Sequence, residues 1–226
     1  MKHHLIIVAG GTGTRMAQPV AKQFLILEGL PLMWWTLQRF HAALDDLNVV
    51  LVLHESLMDE FSELERIHGA AGVHQVVAGG AERWHSVANG LAALPDSGVV
   101  GIHDAVRPFV AEATIRRCFE HAAQTGSAVP VVPVKDSIRE VNGAASHALV
   151  RDQLRAVQTP QCFDIATLKK AYSSGFRNAF TDDASVYEFA GHAVQLVEGD
   201  LENIKVTTPE DLFVAQAFLK ARPRHQ

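Results

Sequence analysis

Apolar residues in this chain follow two rhythms. Short unbroken runs occur at Leu5-Ile6-Ile7-Val8, at Asn48-Val49-Val50-Leu51-Val52-Leu53, and at 73–77, 99–103 and 128–132. They are rich in β-branched residues, as strands buried on both faces are. Between them lie longer stretches with helical spacing, at 56–67, 82–94, 111–124, 164–173, 182–190 and 209–221. A first helix is expected to begin at Pro31, which suits a first helical position, and to run to about Leu44. Its Leu32, Trp35, Leu37 and Phe40 share one side, so Trp34-Trp35 reads as core. In the last helix Thr208 is the expected N-cap, followed by Pro209 and by acids in the first turn. Strands alternating with helices predict an α/β fold, a mostly parallel sheet with helices on both faces.

One region breaks the rhythm. Val134-Lys135-Asp136-Ser137-Ile138-Arg139-Glu140-Val141 alternates apolar with polar residues, Asn142-Gly143 signals a tight turn, and Ala148-Leu149-Val150-Arg151 is extended again. A β-arm projecting at about 134–158 explains this better than another strand–helix unit. An isolated two-stranded ribbon is marginal in water, so the arm is expected to pack on a second copy of the chain. No repeat or linker divides the 226 residues, which read as a single domain over 1–226.

Composition narrows the partners. Hydrophobic residues make up 48% of the chain and charged residues 20%, with a net charge of −5. That balance supplies a sizeable core and excludes broad attraction to nucleic acid or to an acidic membrane. Any anion must be held by a local cluster of cations. Cys118 and Cys162 have neither metal-ligand nor disulfide-framework spacing and read as buried small apolar residues. Met1-Lys2-His3-His4 leads straight into the first strand, without a long apolar stretch or small-residue cleavage site. No apolar run approaches the ~18 residues of a membrane span. A cytoplasmic location is expected.

The first strand ends in Ala9-Gly10-Gly11-Thr12-Gly13-Thr14-Arg15-Met16, with Lys22 following. Glycines let backbone N–H groups approach phosphate oxygens, and Arg15 and Lys22 are placed to hold charge on a phosphate chain. Met16 stands where a dinucleotide fingerprint would need glycine, and the Gly-Lys-Ser/Thr of a Walker loop is absent. Taken alone, the loop also fits a glycine-rich turn with two surface cations. Gly79-Gly80-Ala81-Glu82-Arg83-Trp84-His85-Ser86 again runs glycines into a helix, suited to a base edge or ribose; alone it reads as an ordinary helix start.

His103-Asp104-Ala105-Val106-Arg107-Pro108 lies where the fourth strand runs out, the end at which open parallel sheets bind ligands. Asp104 could bind a hydrated Mg²⁺ or a substrate hydroxyl, and Arg107 could steady a phosphate; a local Asp104–Arg107 pair serves equally. His103 reads as structural. No metal site is certain, and Asp104 is the one candidate. In Asn203-Ile204-Lys205-Val206-Thr207 the lysine projects from an extended segment near the strand ends, fitting a phosphate ligand or a solvated edge. Thr181-Asp182-Asp183-Ala184-Ser185 reads chiefly as a helix cap whose acids could orient a nearby cation. The twelve histidines form no ligand cluster.

In combination, Ala9-Gly10-Gly11-x-Gly13-x-Arg15-Met16 with Lys22-Gln23, Gly79-Gly80-x-x-Arg83-x-x-Ser86, His103-Asp104-Ala105-x-Arg107-Pro108, Thr159-Pro160-Gln161, Thr181 to Ser185 and Glu198-Gly199-x-x-x-Asn203-Ile204-Lys205 occur in a specific order. The chain resembles the 2-C-methyl-D-erythritol 4-phosphate cytidylyltransferases of the non-mevalonate isoprenoid pathway, from Leu5 to about Leu219. The resemblance implies a Rossmann-like nucleotidyltransferase domain and a homodimer with interlocking β-arms. It implies CTP, methylerythritol phosphate and Mg²⁺ bound mainly through the CTP phosphates, with a CDP-linked polyol and pyrophosphate as products. By that resemblance Arg15 and Lys22 stabilise the transition state at the α-phosphate, while Lys205 and Arg151 position the attacking phosphate. Thr159 and Asp104 contact the acceptor, with Ser137 and Arg107 entering from the partner's arm region. The loop from Ala9 through Gly10, Gly11 and Thr12 to Gly13 holds the cytidine and triphosphate together with Gly80, Ala81 and Ser86, and Ala105 completes the substrate contacts.

Ala81 replaces the aspartate of a Gly-Gly-Asp-Glu-Arg pattern, which leaves only a backbone contact there; Ser137 for threonine keeps the hydroxyl. The acceptor phosphate is already anionic, its second pKa being about 6, so the reaction needs no general base. Two other readings remain at this point. Ribitol-5-phosphate cytidylyltransferase shares most of the motifs, although the longer spacing expected there between the third helix and fourth strand is absent. A regulatory module that binds CTP without turnover would not need the acceptor-phosphate cations.

Overall fold

The computed structural model describes residues 2–10 and 20–221. Its elements in chain order are β1 (His3–Ala9), β2 (Ile26–Leu27), β3 (Leu30–Pro31), α1 (Leu32–Ala43), β4 (Leu47–Leu53), α2 (Met58–His68), β5 (Gln75–Ala78), α3 (Arg83–Ala92) and β6 (Val99–Asp104). There follow α4 (Glu112–Thr125), β7 (Ser127–Pro133), β8 (Arg139–Asn142), β9 (Ala145–Ala148), β10 (Arg155–Val157), β11 (Gln161–Asp164), α5 (Ile165–Tyr172), α6 (Asp183–Phe189), β12 (Leu196–Glu198) and α7 (Pro209–Ala221).

The main sheet runs in the order β10-β7-β11-β6-β1-β4-β5, with β12 paired to β7. From β6 to β5 every pairing is parallel. The other half is mixed: β11 lies antiparallel between β6 and β7, and β10 is antiparallel to β7. The pattern of apolar runs left out β10, β11 and β12, which are only three or four residues long, too short for periodicity to register. The expected strand at 73–77 forms as Gln75–Ala78, and it is a partly exposed edge strand rather than one buried on both faces.

Strand alternation sorts the core into two faces. Leu5, Ile7, Val49 and Leu51 point to one side, where Leu37 and Phe40 of α1 and Ile115, Cys118 and Phe119 of α4 cover them. Ile6, Val50, Val52, Val100 and Ile102 point to the other, against Val87 and Leu91 of α3, Leu168 of α5 and Tyr187 of α6. Cys118 and Cys162 are both free and fully buried. In α1 the deepest tryptophan is Trp34, 3% exposed, with its indole N–H donating to Gly69 O at 3.1 Å. Trp35 is half-buried and donates to Leu27 O. Pro31 stands just before α1, as its N-cap, rather than at its first position. At α7 the Thr208 hydroxyl accepts from Asp211 N, while the Asp211 carboxylate accepts from the amides of Thr207 and Thr208.

β8 and β9 form a separate antiparallel hairpin in which every residue is exposed. Its turn places Gly143 at φ 59°, a conformation that favours glycine. The chain then returns to the main sheet through β10.

Candidate active site

The site lies at the carboxyl ends of the parallel strands, where β1, β5 and β6 hand the chain to their loops. Asp104 ends β6, 7% exposed. Its Oδ2 receives Arg107 Nε at 3.1 Å and Lys205 Nζ at 3.1 Å, and its Oδ1 faces Arg83 Nε at 4.0 Å. Three cations from three separate segments thus surround one carboxylate. Burial alone would raise the pKa of Asp104, but Lys205, Arg83 and Arg107 outweigh it and hold the group well below the usual carboxylate range.

Each cation is placed by its own segment. Arg107 follows β6 directly, and its guanidinium also donates to Asn203 O at 2.8 Å. Within its own subunit its side chain is 13% exposed and bonded twice, to Asp104 and to Asn203, and it follows β6 rather than lying on the arm. Lys205 precedes α7 in a segment fixed by Val206 N donating to Val106 O, with Val206 itself fully buried, which turns Lys205 outward toward Asp104. Arg83 opens α3. Both its terminal nitrogens donate to Asp183, at 3.0 and 2.7 Å. Burial opposes the charge on Arg83, but Asp183 and Asp104 overcome this and raise its pKa above the ordinary value. Sequence reasoning placed Arg83 in a motif without giving it a role, and read Asp183 chiefly as part of a cap. The signal was a pair of acids beside a helix start, with nothing local to show which cation they would meet.

Behind the carboxylate runs a buried polar chain. Asp104 N donates to Thr159 Oγ1 at 3.2 Å, and that hydroxyl lies 2.9 Å from His103 Nδ1. His103 Nε2 lies 3.2 Å from Arg107 O. A carbonyl only accepts, so Nε2 carries the proton and Thr159 O–H donates to Nδ1. His103 is completely buried, and desolvation lowers its pKa to about 3, which keeps it neutral. Asn203 Nδ2 donates to Thr159 O at 2.8 Å and closes the network. Thr159, expected at the acceptor, has its hydroxyl committed within the protein.

At the glycine turns that end β1 and β5, the Ser86 hydroxyl accepts from Gly80 N at 3.1 Å. A β-carbon at Gly10 would come within 3.1 Å of Ser86 Oγ, and one at Gly79 within 3.2 Å. Glycine at both positions lets the ends of β1 and β5 close on the first turns of α3. Ala9 O receives Gln23 Nε2 at 2.9 Å, so the turn carrying Lys22 (Lys22–Phe24) is tied back to the end of β1. Ala105 is 1% exposed; its amide donates to Val8 O and its carbonyl accepts from Thr36 Oγ1. Ala81 is exposed. Gly11, Thr12, Gly13 and Arg15 lie outside the described residues.

The arm residues stand apart. Arg151 donates to Lys135 O at 2.9 Å and faces Asp152 at 3.8 Å, both within its own segment, and Ser137 is exposed. The structure brings together Asp104, Arg107, Lys205 and Thr159, and separately Gly10, Gly80 and Ser86. Arg83, on the same helical turn as Ser86, links the two groups.

Comparison with known proteins agrees with this geometry across the chain. Residues 3–221 match the family model for 2-C-methyl-D-erythritol 4-phosphate cytidylyltransferase. The chain is 46% identical over 214 residues to the protein of that name from Bacteroides fragilis, covering 95% of this chain and 98% of the relative. It is 45% identical over 219 residues to that of Bacteroides thetaiotaomicron, covering 97% and 100%. Among solved structures, the 2-C-methyl-D-erythritol 4-phosphate cytidylyltransferase of Thermus thermophilus superposes with a TM-score of 0.79 at 32% identity, over 97% of this chain and 100% of that one. The 4-diphosphocytidyl-2C-methyl-D-erythritol synthase of Anaerococcus prevotii superposes with a TM-score of 0.82 at 27% identity, over 97% and 96%. The family match over residues 3–221, with these identities and superpositions over nearly the whole chain, makes the chain an enzyme of the 2-C-methyl-D-erythritol 4-phosphate cytidylyltransferase family.

Proposed function

We propose that the protein transfers the cytidylyl group of CTP to 2-C-methyl-D-erythritol 4-phosphate, giving 4-diphosphocytidyl-2-C-methyl-D-erythritol and pyrophosphate for isoprenoid precursor synthesis. The observation that carries this reading is the gathering of Arg83, Arg107 and Lys205 on Asp104 beside the Gly10, Gly80 and Ser86 turn. A reaction between two polyanions needs cations for both, held before the substrates arrive.

An oxygen of the acceptor phosphate attacks the α-phosphorus of CTP, and the bond from that phosphorus to the pyrophosphate oxygen breaks. The backbone of Ala9 to Gly13, with Gly80 and Ala81, holds the nucleotide. Ser86 shapes that turn through Gly80 N, and Ala105 supports its floor. Arg15 and Lys22 stabilise charge developing at the α-phosphate. Lys205 holds the acceptor phosphate while Asp104 accepts from an acceptor hydroxyl. Arg107 and Thr159 fix Asp104 from the same chain.

Arg151 and Ser137, carried on the exposed arm, complete the acceptor pocket of the partner in a homodimer whose arms interlock. The exposed Val141, Val150 and Val157 support that packing. Asp104 does not fit as a metal ligand, since its oxygens already face three cations. The divalent cation of the reaction, Mg²⁺, is held through the CTP phosphates, where it screens their charge. The reading takes residues 1–226 as one domain and the enzyme as cytoplasmic, a compartment suited to the free thiols of Cys118 and Cys162.

The test is pyrophosphate release from CTP with Mg²⁺, run with methylerythritol phosphate and with ribitol 5-phosphate in parallel. Release with methylerythritol phosphate is expected. Release with ribitol 5-phosphate alone, or silence with both from protein that binds CTP, overturns the reading.

A further inference from the structure

Asp183 is completely buried, and its carboxylate accepts three hydrogen bonds. Arg83 supplies two through its terminal nitrogens, and the Tyr172 hydroxyl supplies the third at 2.6 Å. The helix that carries Asp183 is itself bolted down. Gln161 on β11 accepts from Ala184 N and donates to Asp182 Oδ2, both at 2.9 Å, and Asp182 and Ser185 form a capping box. Tyr172 is held by stacking on Trp84, centroids 5.3 Å apart and planes 20° from parallel. The acceptor of the fork is therefore fixed from α5, α6 and β11 at once.

This arrangement decides where Arg83 can be. A guanidinium is planar, so a carboxylate that takes both terminal nitrogens also sets the direction of Nε. Here Nε faces Asp104 Oδ1 at 4.0 Å, beyond hydrogen-bond distance. Oδ2 already receives Arg107 and Lys205. Among the described residues Oδ1 is thus the oxygen left for a substrate hydroxyl, and Arg83 Nε is held just short of closing on it.

We propose that Asp183, fixed by Tyr172, is a positioning residue that holds Arg83 back from Asp104 and so keeps Asp104 Oδ1 open to a hydroxyl of the polyol acceptor. The inference rests on the reading of Asp104 as an acceptor ligand. Its particular content is that Asp183 acts on acceptor affinity through Arg83, without touching substrate. Without the fork, Arg83 would close the gap to Asp104 and compete with the acceptor for the same lone pairs.

The test is steady-state kinetics of pyrophosphate release, with each substrate varied in turn, on the full chain and on Asp183→Asn, Tyr172→Phe and the double variant Asp183→Asn/Arg83→Met. Tyr172→Phe keeps the stack on Trp84 and removes one hydrogen bond, so it serves if Asp183→Asn folds poorly. Asp183→Asn should raise KM for methylerythritol phosphate about tenfold, the scale of a charge-assisted hydrogen bond, with KM for CTP within about twofold. Tyr172→Phe should move the same constant by about threefold in the same direction. Removing the competing guanidinium in the double variant should bring the acceptor KM back toward the parent value. A fall in kcat and melting temperature with both KM values unchanged would make the fork structural only and overturn the proposal. So would an acceptor KM in the double variant no better than in Asp183→Asn. Silence of the unmodified protein with methylerythritol phosphate would instead count against the proposed function.

Discussion

Lys205 Nζ lies 3.1 Å from Asp104 Oδ2, joining the segment before α7 to the end of β6. The pair sets Lys205, proposed to hold the acceptor phosphate, in contact with a carboxylate. Lys205 is 41% exposed at its side chain, so a phosphate can reach it from solvent. Lys205→Ala should therefore raise KM for the acceptor and lower kcat/KM by about a hundredfold, while KM for CTP changes little. Steady-state kinetics with each substrate varied separately checks this.

Lys22 follows the glycine-rich loop on a turn tied to Ala9 by Gln23. Lys22→Ala should lower kcat by about a hundredfold or more, the usual cost of removing one transition-state donor. Near-normal turnover in folded protein would remove Lys22 from the chemistry.

Asp104 is the counter-charge of three cations, and removing it leaves them facing each other. Asp104→Asn should destabilise the fold by about 3 kcal/mol, as loss of one member of a buried ionic cluster does. Urea denaturation at neutral pH measures the difference, and an unchanged midpoint would contradict the ionic role.

His103 gives a pH signature. Its folded pKa is lowered to about 3 from an ordinary 6.5, so between those values the unfolded chain binds a proton that the native state refuses. Stability from this group is full above pH 6.5 and is lost as pH falls toward 3, at about 1.4 kcal/mol per pH unit within the window. His4 and His41, also lowered chiefly by burial, contribute in the same direction. His103→Asn should flatten the slope of unfolding free energy against pH over that interval.

The arm gives a prediction on assembly. Val141 is 70% exposed and Val150 62%. Val141→Asp with Val150→Asp should shift the proposed dimer toward monomer in sedimentation velocity and reduce turnover with it. Unchanged sedimentation would separate the arm from assembly.

Much of this architecture was readable from local pattern. The central strands β1, β4 and β6 announced themselves because burial on both faces demands unbroken apolar runs, as in Val49 to Leu53. The start of α7 was legible because Thr208, Pro209 and the following acids each satisfy a local demand of a helix terminus. The antiparallel β11 was not, since four residues carry no period and its pairing with β6 and β7 is set by distant segments. The same limit applies to the site. Lys205 drew attention through its own neighbours, but the partner of Arg83 lies 100 positions away, where only the fold makes the meeting visible.

β11 also divides the sheet into two provinces. On its β6 side lie the glycine turns built on β1, β5 and α3; beyond it, β7 leads to the arm and pairs with β12, after which comes Lys205. The two sides meet where Lys205 contacts Asp104 and Arg107 donates to Asn203 O, and α4 packs across both. A substitution in the segment before α7 therefore alters the charge around Asp104 without touching the strands that carry it, so this end of the sheet can be retuned from a loop while the parallel core stays as it is.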